Sequence, residues 1–431
     1  MYLYFILLFI FSLIRLESEQ LKVPTQAKYA LLINAETGAV LYEKNPEERC
    51  YPASTTKIAT LIYLLGKHQN LEVPVTISKK AISLVHASVK KKNLHEHPPY
   101  ILEHDGTMMG IKAGEVWPLE SLLYGMMLVS GNDSANAAAE FSSGNIEAFM
   151  NELNHFIQNE LGLKNTHFCN PHGLHLPDHF TTASDLAKIT QFALRNQKFR
   201  EIVQTTNFET PSAMIKTLVQ HNRLLKRGNY FYSKAIGVKT GYHSNAGHNL
   251  VAAADQEGRC LIAILLGYED PNQRYKDAKT LFEKAFKEKK VLRTLFAKQF
   301  DLFSASIPKA DTILTARLAE DIKLEYFPAE EPKLSSSIKW RPFTLPIEKG
   351  GCVGAVEIVD EKNNLILTSP IYAEGRVVKK LFFRIMDVCK NHYFIAGLIE
   401  VALVLALSVY FRKRRLKSAT QSSKERSSGR D

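Results

Sequence analysis

The alternation of apolar and polar positions changes character twice along the chain. From Ala27 to Asn45 it reads AKYALLINAETGAVLYEKN, two apolar runs on either side of Glu36-Thr37-Gly38. Short apolar runs around a glycine-containing turn predict a β-hairpin. From Ser54 the spacing becomes helical, with Ile58, Leu61, Ile62 and Leu65 on one stripe. Residues 77–115 carry no clear period and include the basic run Lys90–Lys92 and Pro98-Pro99. Pro118 then opens the helix LESLLYGMMLV, which ends near Ser130-Gly131, because proline suits a first helical turn. Alanine-rich and amphipathic helices follow to about Leu161, then the loop NPHGLHLPDHFTT, then a helix from Ser184. AIGVKTGY and HNLVAAADQ…CLIAILLGY read as strands. Strands at both ends with helices between them predict an α+β domain over residues 24–287, its sheet assembled from both ends of the segment.

From residue 290 to 376 the pattern turns to short alternating strands, TILTARLAEDIKLEYF, CVGAVEIVD and LILTSPIY, with Asn363-Asn364 as a turn. This predicts a small β-rich domain. Residues 377–392, VVKKLFFRIMDVCK and its flank, read as an amphipathic helix on a membrane surface. Tyr393–Phe411 is nearly all apolar and, at ~1.5 Å per residue, about long enough to cross a bilayer. Glu400 interrupts it mid-span and requires either protonation or a partner. A buried core helix is the alternative, disfavoured by the basic cluster Arg412, Lys413, Arg414, Arg415 and Lys417, which reads as a cytoplasmic anchor. Residues 1–20 begin with the apolar run MYLYFILLFIFSLI, a signal peptide or an uncleaved N-terminal hydrophobic segment; Arg15 follows rather than precedes it. Both ends put the bulk of the chain outside the cytoplasm and its C-terminus inside.

A net charge of +11 first suggests a nucleic-acid binder. Residues 412–431, however, carry eight Lys or Arg and two acids, so +6 of that charge sits in a basic cytoplasmic tail. The remainder is only mildly basic, and no nucleic-acid surface is expected. The tail beyond Arg415, rich in Ser, Lys and Arg, is expected to be unstructured. Five scattered cysteines make no disulfide framework, and no Cys/His spacing marks a metal site; His95–His97 reads as a polar loop. No cofactor is expected.

The chemistry lies in YPASTTKIAT, where Ser54 and Lys57 stand three apart at a helix start, on one face. That spacing recurs at Ser88/Lys91, Ser306/Lys309 and Ser336/Lys339, so alone it decides nothing. Here it is followed in order by Ser130-Gly131-Asn132 at a helix end and by Lys239-Thr240-Gly241 on a predicted edge strand. Ser-x-x-Lys, Ser-x-Asn and Lys-Thr-Gly in that order form the signature of penicillin-binding proteins and serine β-lactamases. PASTTKIAT, LVSGNDSANAAAE, NELGLKNTHFCNPHGL-type spacing, TTASDLA and GVKTGYHSNAGHNLVAAA each resemble the corresponding stretches of serine-type D-alanyl-D-alanine carboxypeptidases, the low-molecular-mass penicillin-binding proteins. The resemblance covers most of residues 27–270 and, less specifically, IEKGGCVGAVEIVD in the β-rich segment.

The resemblance implies a DD-peptidase fold, a chain held to the outer face of the bacterial inner membrane, and a peptidoglycan stem peptide as substrate. It further implies acylation by β-lactams. Ser54 would be the nucleophile and Lys57 its base, with Ser130 relaying a proton and Asn132 holding the substrate amide. Lys239 and Thr240 would bind the terminal carboxylate, while Gly241 lets substrate lie against the strand. The N–H groups of Ser54 and Tyr242 would form the oxyanion hole, each donor worth ~3 kcal/mol. An ordinary lysine, pKa about 10.4, is no base at neutral pH; burial and the nearby Lys239 are what could lower Lys57. Arg223 is expected to support Lys239, and His172 to fix its loop. His243 and Asn34 depart from the family pattern. A DD-endopeptidase is the nearest alternative. A β-lactamase is disfavoured because Met150 stands where a deacylating glutamate is needed, and a silent scaffold because it needs no activated nucleophile.

Overall fold

The computed structural model describes residues 20–92 and 96–425. The expected signal segment up to residue 19, His95 and the tail from Arg426 lie outside them. The described residues fall into two compact units, one of residues 20–291 with 325–332, the other of 292–324 with 333–425.

The first unit is built on a five-stranded sheet. Its strands are β1 (Tyr29–Asn34), β2 (Val40–Lys44), β3 (Ala235–His243), β4 (Gly247–Gln256) and β5 (Arg259–Tyr268), in the order β2-β1-β5-β4-β3, all antiparallel. The hairpin and the strands from the far end of the segment thus meet as their patterns predict, with Leu31 opposite Ile264. Alternation sorts the two faces. Leu31, Ile33, Val251, Ala253, Ile262 and Ile264 face the helical layer; Leu32, Leu250, Ala252, Leu261 and Leu265 pack with helix α6. Each such Leu, Ile or Val side chain removed from water contributes about 1.5–3 kcal/mol.

The helices that position the site are α1 (Lys57–Lys67), α2 (Leu119–Leu128), α3 (Asn132–Ser143), α4 (Ile146–His155), α5 (Ala183–Ala193) and α6 (Gln273–Phe286). Helix α1 buries Ile58, Leu61, Ile62, Leu64 and Leu65 in the larger core, so the turn before it is anchored from behind. The irregular stretch 77–115 contains a short helix, Ala87–Lys92, and a two-residue parallel pairing of Leu84–Val85 with Leu102–Glu103. Elements this short leave no readable period. Glu330, from the stretch 325–332, accepts from Arg259 and Asn34, and Ala329 is buried in the α6-side core.

The second unit holds an antiparallel five-stranded sheet: β6 (Phe303–Ala305), β7 (Leu314–Leu318), β8 (Leu334–Trp340), β9 (Cys352–Asp360) and β10 (Leu365–Ala373), in the order β6-β7-β10-β9-β8. Leu314, Ala316, Val356, Ile358 and Ile371 fill its core. Its last element is one 45-residue helix, α7 (Leu381–Glu425). The expected surface helix and span run as one continuous helix, which goes on to Glu425, where unstructured chain was expected. An existing helix adds residues without a new nucleation step, and Arg, Lys, Leu, Ala and Glu all propagate it well. Within it, Leu381–Arg414 is long and apolar enough to cross a membrane, with mean hydropathy 2.3 and none of its apolar window buried.

Candidate active site

Ser54 lies in a single 3-10 turn, Ala53–Thr56, that leads directly into α1. Hydrogen bonds and close packing hold this turn. Thr55 and Thr56 hydroxyls bond back to the carbonyls of Pro52 and Ala53. Asn249 on β4 donates to the carbonyls of Tyr51 at 2.9 Å and Pro52 at 3.0 Å, while its own Oδ1 accepts from the Gly267 N–H. Gly173 packs so close that a Cβ there would fall 1.9 Å from the Ala53 carbonyl oxygen, and its φ of +95° itself demands glycine.

Lys57 is fully buried, and its Nζ has three oxygen partners: Ser54 Oγ at 2.9 Å, Asn132 Oδ1 at 2.7 Å and the His172 carbonyl at 2.7 Å. None is ionised. Burial above all, and then the Lys239 charge, hold this amine well below the ordinary lysine range, opposed by Asp133. A neutral amine has two N–H donors and one lone pair. The amide and carbonyl oxygens only accept, so they take both donors. The lone pair is then left for Ser54, whose hydroxyl becomes the donor.

Ser130 ends the chain segment after α2 with a left-handed φ of +63°, and Asn132 opens α3. Asp133 organises this corner: its carboxylate accepts from the N–H groups of Met109, Gly110, Ile111 and Ser134. The Asn132 N–H reaches the Thr107 carbonyl, and Thr107 Oγ1 donates to the Ser130 carbonyl. From the opposite side, β3 is an edge strand of its sheet, with backbone groups free to pair outward. Its Lys239 crosses to Ser130, Nζ to Oγ 3.0 Å, and also donates to the Thr240 carbonyl at 2.9 Å. Burial first, and then Arg274, lower Lys239 to about 7.

All eight residues singled out by motif therefore occupy one region: Ser54, Lys57 and Asn132 share one set of polar contacts, Ser130 and Lys239 form a second, and Thr107 joins the two by accepting from the Asn132 N–H and donating to the Ser130 carbonyl. Gly241 has a structural role that the sequence did not indicate. A Cβ there would sit 3.1 Å from the Pro52 carbonyl oxygen and from the Ser54 nitrogen, and 3.2 Å from the Thr55 nitrogen. The bare backbone makes room for the protein's own nucleophile turn. Arg223 does not bond to Lys239; it reaches Asn272 and the Tyr230 ring. The cation that faces Lys239 is Arg274, at the start of α6, which donates to the carbonyls of Gly241 and Asn249. No spacing in the sequence marks Arg274, Asn249 or Asp133, although the last adjoins Asn132.

His172 is buried, with Nε2 3.2 Å from the Tyr100 carbonyl and Nδ1 accepting from Leu174; it orders the loop whose carbonyl holds Lys57. Burial, followed by Lys57, keeps its ring neutral by lowering its pKa well below the usual value. His243 stacks on His175, ring centroids 5.2 Å apart, at the end of β3. Tyr242 exposes its ring and stacks on His248 at 4.2 Å. A cavity of about 750 Å³ beyond this strand end is bounded by Tyr51, Tyr242, Asn245 and His248, while Ser54 and both lysines are outside its wall. Asn34 serves its hairpin: Oδ1 accepts from the N–H groups of Glu36 and Thr37. Among the described residues no group of three or more His, Cys, Asp or Glu could hold a metal ion.

A serine beside a buried lysine whose partners are all neutral, on an α+β domain with a cationic edge strand, is the arrangement of the class of serine DD-peptidases. Residues 17–270 match the model of the peptidase S11 family, D-alanyl-D-alanine carboxypeptidases. The D-alanyl-D-alanine carboxypeptidase DacF of Bacillus subtilis is 29% identical over 83% of this chain and 87% of its own. DacA of Haemophilus influenzae is 31% identical over 63% of this chain and 64% of its own. The crystal structure of penicillin binding protein 5 from Haemophilus influenzae matches 83% of this chain and 99% of its own, at 25% identity and a TM-score of 0.56. The chain belongs to the peptidase S11 family and is a serine-type D-Ala–D-Ala carboxypeptidase.

Proposed function

We propose that this chain is a single-pass protein of the bacterial inner membrane, its first unit on the outer face, which removes the terminal D-alanine from peptidoglycan stem peptides and is acylated by penicillins. The exposed apolar helix α7 and the basic residues after Phe411 support the anchoring. Ser54 Oγ attacks the carbonyl carbon between the two D-alanines as its proton passes to the Lys57 lone pair. The N–H groups of Ser54 and Tyr242 hold the oxyanion. Collapse breaks the C–N bond, and the proton on Lys57 reaches the leaving amine through Ser130. Water then attacks the Ser54 ester, giving its proton to Lys57, and the second collapse returns a proton to Ser54. Asn132 holds the substrate amide. Lys239 and Thr240 bind the terminal carboxylate, and the incoming anion favours the charged form of Lys239. In a β-lactam the broken amide nitrogen stays tethered, so it cannot leave and make room for water.

The observation that carries this reading is the Lys57 amine held only by neutral oxygens, one of them Ser54 Oγ. Incubation of the full chain with a fluorescent penicillin, and with diacetyl-lysyl-D-Ala-D-Ala, tests it. Stable labelling and D-alanine release, both lost in Ser54→Ala, are expected. Labelling without release would contradict the carboxypeptidase reading, and rapid drug turnover would favour a β-lactamase. Against the latter, Met150 is buried in the core of the helical layer, with no carboxylate at that position. Release of D-alanine from the linear peptide separates the proposal from an endopeptidase confined to cross-links.

A further inference from the structure

Glu400 stands in the middle of Tyr393–Phe411, the most apolar part of α7. Its side chain is exposed on the helix surface. One turn away on either side are Ala396, Gly397, Leu403 and Val404, none of which has a side-chain donor. Exposure to water would satisfy such a carboxyl, whereas hydrocarbon cannot, and an intramembrane carboxyl without a partner is strongly disfavoured. Gly397 leaves the backbone bare on the same face as Glu400, which lets a second helix approach closely there.

We propose that α7 pairs in parallel with α7 of a second copy of this chain through a hydrogen bond between the two Glu400 carboxyls. One carboxyl keeps its proton, and its O–H donates to an oxygen of the other. Two copies inserted with the same topology bring Glu400 to the same depth, so each supplies the polar group that the other lacks. Cys389 reports on this arrangement. It is an exposed free thiol eleven residues before Glu400, which is three turns plus about 20° at 3.6 residues per turn. Both side chains therefore lie on one face, and the two Cys389 thiols of a parallel pair face each other.

The test uses the full chain in phosphatidylethanolamine–phosphatidylglycerol vesicles at a few chains per vesicle, oxidised with copper phenanthroline. A disulfide-linked species of twice the 48.7 kDa chain mass is expected, and Cys389→Ser should abolish it. Glu400→Leu should reduce its yield at least roughly 5-fold, while Glu400→Gln, which keeps a donor and an acceptor, should retain most of it. D-Alanine release is expected to be unchanged by either Glu400 substitution. Equal cross-linking in Glu400→Leu, no cross-link in the unaltered chain, or an adduct of another mass in native membranes would each overturn the pairing. Release of the chain by a carbonate wash would overturn it together with the membrane span.

Discussion

The first unit buries lysine in two opposite ways. Lys90, between the short helix and the Leu102–Glu103 strand, is 3% exposed and meets the Glu103 carboxylate at 2.9 Å. Lys57 is 0% exposed and meets three neutral oxygens, and the Lys239 charge opposes its protonation. The burial is comparable; the partners are not. Where a carboxylate is supplied, the ammonium becomes a structural strut. Where only dipoles are supplied and another cation stands near, the ammonium is disfavoured, which suits the base we propose at Lys57. Burial alone makes neither function, and the choice of partner does.

The largest test of this contrast is to keep the charge at position 57 while removing the ability to lose a proton. Lys57→Arg, like Lys57→Met, should slow acylation by fluorescent penicillin on the order of 10³–10⁴-fold, as expected for loss of a general base. Near-normal labelling by the arginine variant would show that position 57 acts by charge. At the strut, the same kind of change should be felt in stability instead. Lys90→Met leaves a buried carboxylate without its ion and should cost about 3–5 kcal/mol in denaturant melts. Lys90→Met with Glu103→Leu should recover most of that loss.

Arg274 offers a smaller and more graded change. The folded pKa of Lys239 is about 7, so its ammonium is complete below that value and is lost as pH rises through it. The kcat/KM for a carboxylate-terminated peptide should therefore fall on the alkaline side with a free-enzyme midpoint near 7. Arg274→Leu removes the facing cation and should move that midpoint upward; an unchanged midpoint would leave burial as the sole cause. The same depression makes stability rise with pH between about 7 and the ordinary lysine value, because the unfolded chain then binds the extra proton. Arg223→Ala should be the mildest change, within about 2-fold in kcat/KM and 0.5 kcal/mol in stability, since its bond to Asn272 lies outside the Lys239 set.

What could be read from sequence follows from how each residue acts. Ser54 and Lys57 are legible because one helical turn brings their side chains together, and Lys239 because an alternating apolar strand surrounds it. Asn249 and Arg274 act through carbonyl oxygens of distant segments, Tyr51, Pro52 and Gly241, and no local pattern records a long-range contact to backbone. Gly241 was visible as a glycine, but only the fold shows that its missing side chain faces the nucleophile turn. The helix beyond Phe411 escaped notice for a different reason: its composition suits solvated chain, and cooperativity with the preceding apolar helix is what continues it.

The protonation state of Lys57 is the point on which the mechanism rests. Titration of lysine ¹³Cε resonances in the intact enzyme, with the Lys57 signal assigned by its loss in Lys57→Arg, measures it directly. The account predicts a resonance that titrates well below the range of the solvated lysines. A Lys57 signal that remains ammonium through pH 9, in an enzyme that still acylates normally, would contradict it.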